Sequence, residues 1–143
     1  MTRGVTLTEI VATLTIIALA AGWAVPYLAG PLDHLAVDNA AYAIATAHTR
    51  ARMIAILESR YVLLRIDADS MRISLVADGD TIRRWSAPGP ASDGVTITGP
   101  SNVMIFTPVG ITGGVSNGTY TVRRGDAWRS VIISRLGRVR MRP

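Results

Sequence analysis

Residues 10–28 form an almost unbroken apolar run, interrupted only by Thr13, Thr15 and small residues up to Pro26. About 20 apolar residues at 1.5 Å each cross a ~30 Å hydrocarbon layer. Residues 5–28 are therefore expected to be a membrane-spanning helix, with Trp23 in the aromatic belt at its exit. Arg3 is the sole basic residue on the N-terminal flank, a weak signal for an N-terminus-inside orientation. One position conflicts with the pattern. Glu9 puts a carboxylate inside a stretch otherwise built for hydrocarbon, at a cost of at least a few kcal/mol unless a partner arrives. That predicts assembly with a group of opposite charge. A cleaved signal peptide, with Ala18-Leu19-Ala20 as its small-x-small site, and a plain single-pass anchor are the alternatives. Neither accounts for Gly4 standing before Val5-Thr6-Leu7-Thr8-Glu9.

The period then changes twice. Over residues 33–58, Val37, Ala40, Ala41, Ile44, Ala47, Ala51, Ile54 and Ala55 recur at intervals of three and four. Alanine is the best helix former, so this stretch is predicted to continue the first helix, with a bend near Gly30-Pro31. Its small side chains would let it lie close against a sheet, with Arg50 and Arg52 pointing away. Beyond Arg60 short extended runs take over. Residues 61–66 and 71–76 flank Asp67-Ala68-Asp69-Ser70 and read as a β-hairpin. Further strands are expected at 81–85, 95–98, 103–106, 119–124, 128–134 and 138–141, separated by Gly- and Pro-rich breaks. A long helix followed by an antiparallel sheet is an α+β plan.

Composition limits the chemistry. The 143 residues contain no Cys, which excludes disulfide staples and thiol or Cys-metal chemistry. All 15 Lys+Arg positions are Arg, and the net charge is +5. The sign is uneven along the chain. Up to Ile82 six Arg face eight acidic residues, whereas from Arg83 onward nine Arg face only Asp93 and Asp126. Such asymmetry points to a polyanion or an acidic surface as partner, or to a solvated basic face. In the tail, Arg138-Val139-Arg140-Met141-Arg142 alternates strictly. A strand would put the three arginines on one face, roughly 6.5–7 Å apart, with Val139 and Met141 on the other. That spacing is close to the separation of adjacent phosphates on a nucleic-acid strand, and Arg binds phosphate bidentately.

The segment Arg3-Gly4-Val5-Thr6-Leu7-Thr8-Glu9 resembles the class III signal of type IV pilins and type II secretion pseudopilins. The resemblance implies that prepilin peptidase cuts after Gly4 and that Val5 becomes a methylated N-terminus. It implies that Glu9 meets the α-amino group of a neighbouring subunit, and that Pro26 kinks the helix. Val5 stands where the family prefers Phe, and the leader is short. The rest of the chain is similar to the GspH/FimT-like minor pilins and pseudopilins, in Ala47-His48-Thr49-Arg50-Ala51-Arg52-Met53-Ile54-Ala55, in Val103-Met104-Ile105-Phe106-Thr107-Pro108-Val109-Gly110, and in the ending Ile132 to Arg140. The family's C-terminal Gly-Arg-x-Arg falls on Gly137, Arg138 and Arg140. In the FimT branch that motif is implicated in DNA binding; GspH-branch pseudopilins can end similarly. Arg135 and Arg142 extend the candidate DNA-binding set. Many relatives carry a C-terminal disulfide, which this chain lacks.

The resulting division is a leader at residues 1–4, a membrane and assembly helix at 5–29, its continuation outside the membrane at 30–59, and a β-rich domain at 60–143. The implied setting is the bacterial inner membrane, with the globular part in the periplasm. The implied partners are other pilins or pseudopilins, prepilin peptidase and, in one reading, double-stranded DNA. No cofactor or metal is implied. Asp67, Asp69, Asp78 and Asp80 lack EF-hand spacing and read as turn residues. His34 and His48 have no acidic or Cys companion and read as surface or helix-face histidines. No nucleophile–base pair, Walker loop or Gly-x-Ser-x-Gly motif occurs, which argues against an enzyme. Two functions stay open: a structural subunit of a secretion pseudopilus or type IV pilus, and a DNA-binding minor pilin.

Overall fold

Thr6 and Glu9 start the first helix as a capping box. The Glu9 amide donates to Thr6 Oγ1 at 3.3 Å, and the Thr6 amide donates to Glu9 Oε2 at 3.4 Å. In the computed structural model, which describes residues 4–100, 103–113, 118–134 and 136–143 without the side chains of 24–26 and 28, the helix α1 then runs over Leu7–Leu57. Helical assignment continues through Pro26 and Pro31. Ser59, at a left-handed φ of 50°, ends it, and the Arg60 amide returns to the Ala55 carbonyl at 3.2 Å. Two compact units share the chain, Met1–Leu32 and Asp33–Pro143.

In the first unit the large apolar side chains described between Val5 and Trp23 are 46% to 85% exposed. Thr13 and Thr15 donate their hydroxyls to the carbonyls of Glu9 and Val11, at 2.9 and 2.7 Å. The polar interruptions of the apolar run are therefore satisfied within the helix. Among the described residues no helix is long and apolar enough to cross a membrane. The undescribed side chains at 24–26 and 28 fall inside the run that the sequence shows.

Among the described residues the second unit holds nine strands. They are β1 (Val62–Ile66), β2 (Ser70–Ala77), β3 (Asp80–Pro88), β4 (Thr96–Thr98), β5 (Met104–Phe106), β6 (Thr112–Gly113), β7 (Gly118–Arg124), β8 (Ala127–Ile133) and β9 (Val139–Arg142). The expected antiparallel β-structure is present, arranged as two sheets in the orders β3-β2-β1-β5-β6 and β4-β7-β8-β9. The two-residue strand β6 is too short to carry an alternating pattern and escaped the sequence reading. Both sheets turn alternate residues toward the helix stripe. Val62, Leu64, Ile73, Leu75 and Phe106 from the first and Tyr120, Val122, Val131 and Ile133 from the second share one buried cluster with Val37, Ala40, Ala41, Ile44, Ala47, Ala51 and Ala55. The paired aspartates fall at opposite ends of β2. Asp67 and Asp69 lie in the β1–β2 turn, and Asp78 and Asp80 at the β2–β3 turn, where Asp78 and Gly79 take φ of 52° and 89°.

Two helix residues sit differently from the sequence reading. Arg52 does not point away; it is half-buried beside the left-handed glycines Gly110 and Gly137. His48 belongs to the stripe and is fully buried, its ring edge-on to Phe106 at 4.8 Å. Neither ring nitrogen has a hydrogen-bond partner among the described residues. A histidine in a stripe of alanines breaks no periodicity, so pattern alone left its face open.

Burial, and secondarily the Arg52 charge, lower the His48 pKa from 6.5 to about 4. The folded domain thus holds the ring neutral, while the unfolded chain takes up a proton near pH 6.5. Stability is whole above about pH 6.5 and falls as the pH drops toward about 4, by as much as roughly 3 kcal/mol. Denaturant unfolding at about pH 7 and about pH 4.5 should show this loss. His48→Leu should remove most of the pH dependence, and an equally steep loss in that variant would assign the acid sensitivity to other groups.

Candidate functional site

The candidate residues fall in two places, the start of α1 and the β8–β9 hairpin. Gly4 and Val5 precede the helix and are exposed, with no atom within 4 Å of a Cβ built on Gly4. Glu9 is exposed in the first turn. Its carboxylate is occupied by the Thr6 amide, a local role that the Thr6-Leu7-Thr8-Glu9 spacing already signalled and that the charge argument passed over. Pro26 lies on the helical backbone; its side chain lies outside the described residues.

At the other end, Ser134 and Gly137 close the turn between β8 and β9. The Gly137 amide donates to the Ser134 carbonyl and the Ser134 amide to the Arg138 carbonyl, both at 2.9 Å. The Arg138 amide adds a bond to Ser134 Oγ at 3.2 Å. Gly137 has φ of 70°, and a Cβ there would stand 3.2 Å from the Gly110 carbonyl oxygen and 3.3 Å from Arg52 Cδ. Glycine is required both by the left-handed turn and by this close approach. The glycine of the Gly-Arg-x-Arg motif therefore aims the strand that carries the arginines.

Among the described residues β9 pairs with β8 alone and forms the edge of its sheet, with Val139 opposite Ile133 and Met141 opposite Val131. Those partners are buried, so Val139 and Met141 share the core side, although Met141 remains 37% exposed. Arg140 lies opposite Ile132 and Arg142 opposite Ser130, on the outer face. The same face continues over β7 and β4 through Thr121, Arg123, Thr96 and Thr98, with Trp128 opposite Arg123. It is a surface of hydroxyls and guanidinium groups around one exposed indole.

The tail arginines counted together in the sequence divide by strand parity. Arg124 and Arg129 lie on the helix side and meet helix carboxylates: Arg124 Nε is 2.8 Å from Asp33 Oδ1, and Arg129 pairs with Asp38. Arg124 also donates to the Asp93 carbonyl at 2.7 Å. Partly exposed pairs of this kind contribute on the order of 1 kcal/mol each and orient α1 on the second sheet. Arg123 donates to the Gly125 carbonyl. Arg138, Arg140 and Arg142 are exposed, and no described carboxylate pairs with them. Arg135 lies outside the described residues. The exposed tail arginines that no described carboxylate matches are thus Arg138 before β9 and Arg140 and Arg142 on its outer face, fewer than the charge count suggested.

The sequence profile of the type II transport protein GspH matches residues 40–137. The pilin-like protein PilA1 of Thermus thermophilus is 32% identical over 156 aligned positions, covering 97% of each chain. Two crystal structures of the type IV minor pilin FimU of Pseudomonas aeruginosa superpose with TM-scores of 0.63 and 0.60 at 22% identity. They cover 75% and 74% of this chain and 88% and 92% of theirs.

Gly137→Ala should destabilise the second unit by roughly 1–3 kcal/mol, from the left-handed strain and the displaced Arg52 and Gly110 contacts. Amide exchange should quicken first in β9. Unchanged β9 protection in that variant would show that the turn does not depend on glycine.

Proposed function

The chain belongs to the GspH family of minor pilins and pseudopilins, and we propose that it is a structural subunit of a type II secretion pseudopilus or a type IV pilus, assembled through α1. The observation that carries this reading is the exposure of the large apolar side chains described between Val5 and Trp23. An apolar face of that extent is unstable in water and calls for a cover. The membrane covers it before assembly, and the helices of neighbouring subunits cover it afterwards. The internally bonded hydroxyls of Thr13 and Thr15 suit the same environment. Prepilin peptidase cleaves after Gly4, an open and exposed position. Cleavage gives Val5 a free amino group, and Glu9 of this subunit exchanges its capping bond for a charged amino group of a neighbour. A carboxylate in an apolar bundle is tolerated when so paired. The globular unit stays on the periplasmic side.

A second reading is favoured by the exposed arginines at the start of β9 and along it, which no described carboxylate pairs. In it the subunit also grips double-stranded DNA during uptake, with Arg138, Arg140 and Arg142 on successive phosphates. Such contacts fix register on the backbone and carry no sequence preference.

Glu9→Gln keeps an acceptor for the Thr6 amide and removes the charge. It should be as defective in filament incorporation as Glu9→Ala, measured by subunit content of sheared filaments or by secretion of cargo. Wild-type incorporation of the Gln variant would reduce Glu9 to a helix cap. For the second reading, log K for duplex DNA should fall with log[salt] at a slope of roughly −2 to −4, about −0.9 per neutralised phosphate. Arg138→Ala with Arg140→Ala should lower that slope by about 2; an unaltered slope would remove these arginines from the binding surface.

A further inference from the structure

The outer face of the first sheet carries a second set of arginines that neither reading above uses. Strand register lays out a grid there. Leu63, Ser74 and Arg83 form one row across β1, β2 and β3, and Arg65, Arg72 and Ser86 form the next. The register shifts after Ile73, so Arg84 is the extra residue on β3 and turns instead to Glu58, 3.4 Å away. Arg83 keeps its place opposite Ser74. Arg65 and Arg72 stand directly opposite each other on one face of an antiparallel pair. Like charges so placed are destabilising.

Four other arginines of this unit are matched to acids: Arg60 to Asp78, Arg84 to Glu58, Arg124 to Asp33 and Arg129 to Asp38. No described carboxylate pairs with Arg65, Arg72 or Arg83. Asp67, two residues beyond Arg65, lines a separate groove with Ile97, Gly99 and Tyr120. Between the arginines lies a groove of about 370 Å³, lined by Leu63, Arg65, Arg72, Ser74, Thr81 and Val103. A local conflict maintained against stability, over a concave surface with hydroxyls at its centre, has the marks of a binding site.

We infer that this groove is an oxyanion site that takes a phosphate group, seated over the Ser74 hydroxyl between the guanidinium groups of Arg65 and Arg72, with Arg83 opposite Ser74 on the neighbouring strand. Each guanidinium can donate two parallel hydrogen bonds to an oxyanion. One arginine satisfies both oxygens of a carboxylate, whereas several guanidinium groups and a hydroxyl suit a group with three or more oxygens. Leu63 and Val103 limit water on one side and strengthen those contacts. A bound phosphate also cancels the Arg65–Arg72 repulsion. The volume suits a diphosphate or a single phosphodiester linkage rather than a protein surface. A free oligophosphate and a nucleic-acid backbone present the same group.

The test uses the full chain in dodecyl maltoside, in phosphate-free buffer of low ionic strength, by thermal unfolding and titration calorimetry. The probes are pyrophosphate, a short thymidine oligonucleotide and a poly-glutamate peptide. Pyrophosphate is expected to raise the Tm of the wild-type chain. Arg72→Thr should unfold at a higher temperature than wild type without ligand, since the repulsion is gone. It should gain no Tm from pyrophosphate and bind it about tenfold more weakly or worse, the loss of a charge-assisted bidentate contact. Arg60→Ala, which loses only the exposed pair with Asp78, should keep the full increment. If the oligonucleotide alone shifts the Tm, and only while Arg72 is present, the phosphate comes from a phosphodiester backbone and the site stands. An equal pyrophosphate increment in Arg72→Thr overturns it. So does binding of poly-glutamate with neither phosphate probe, which would assign the face to an acidic protein.

Discussion

The fold depends on how closely α1 can approach two sheets at once. Ala40, Ala41, Ala47, Ala51 and Ala55 are all buried on one stripe, and their small size brings the helix backbone near the strands. Only then can Phe106 from one sheet and Tyr120 from the other reach the same core cluster. His48 is the exception on that stripe; burial keeps its ring neutral, with Phe106 packed edge-on against it. Larger side chains at the alanine positions would push the helix off the core that the two sheets share with it.

Charge is layered on this packing. Strand parity sends Arg124 and Arg129 inward to Asp33 and Asp38, which hold the helix to β7 and β8. The same parity sends Arg123, Arg140 and Arg142 outward. The basic tail thus divides between a structural half that is neutralised and an outer half that is not. The first sheet repeats the division, with Arg84 drawn to Glu58 by a bulge while Arg65, Arg72 and Arg83 are left facing solvent. Unneutralised arginines on both outer faces account for a net charge of +5 that the core does not need.

The first unit follows a different constraint. Its described large apolar side chains are exposed, while its polar atoms are bonded locally: Glu9 with Thr6, Thr13 and Thr15 with carbonyls one turn back. A helix that is satisfied in its hydrogen bonds and unsatisfied in its burial is suited to an environment supplied from outside, such as the proposed assembly through α1.

The amino-acid sequence by itself determined the elements and the family. The stripe from Val37 to Ala55, the hairpin around Asp67-Ala68-Asp69 and the alternation of Arg138 to Arg142 are local periodicities, and local periodicity is written residue by residue. The signal around Gly4 and Glu9 is equally local. Tertiary structure alone decided which element neighbours which. The split into two sheets, the short strand β6 and the burial of His48 depend on contacts between segments distant in sequence. So do the opposition of Arg65 to Arg72 and the choice of which tail arginines find Asp33 and Asp38. A pattern along one strand fixes its faces, but a partner's identity is a property of register between strands, and register is set only when the core closes.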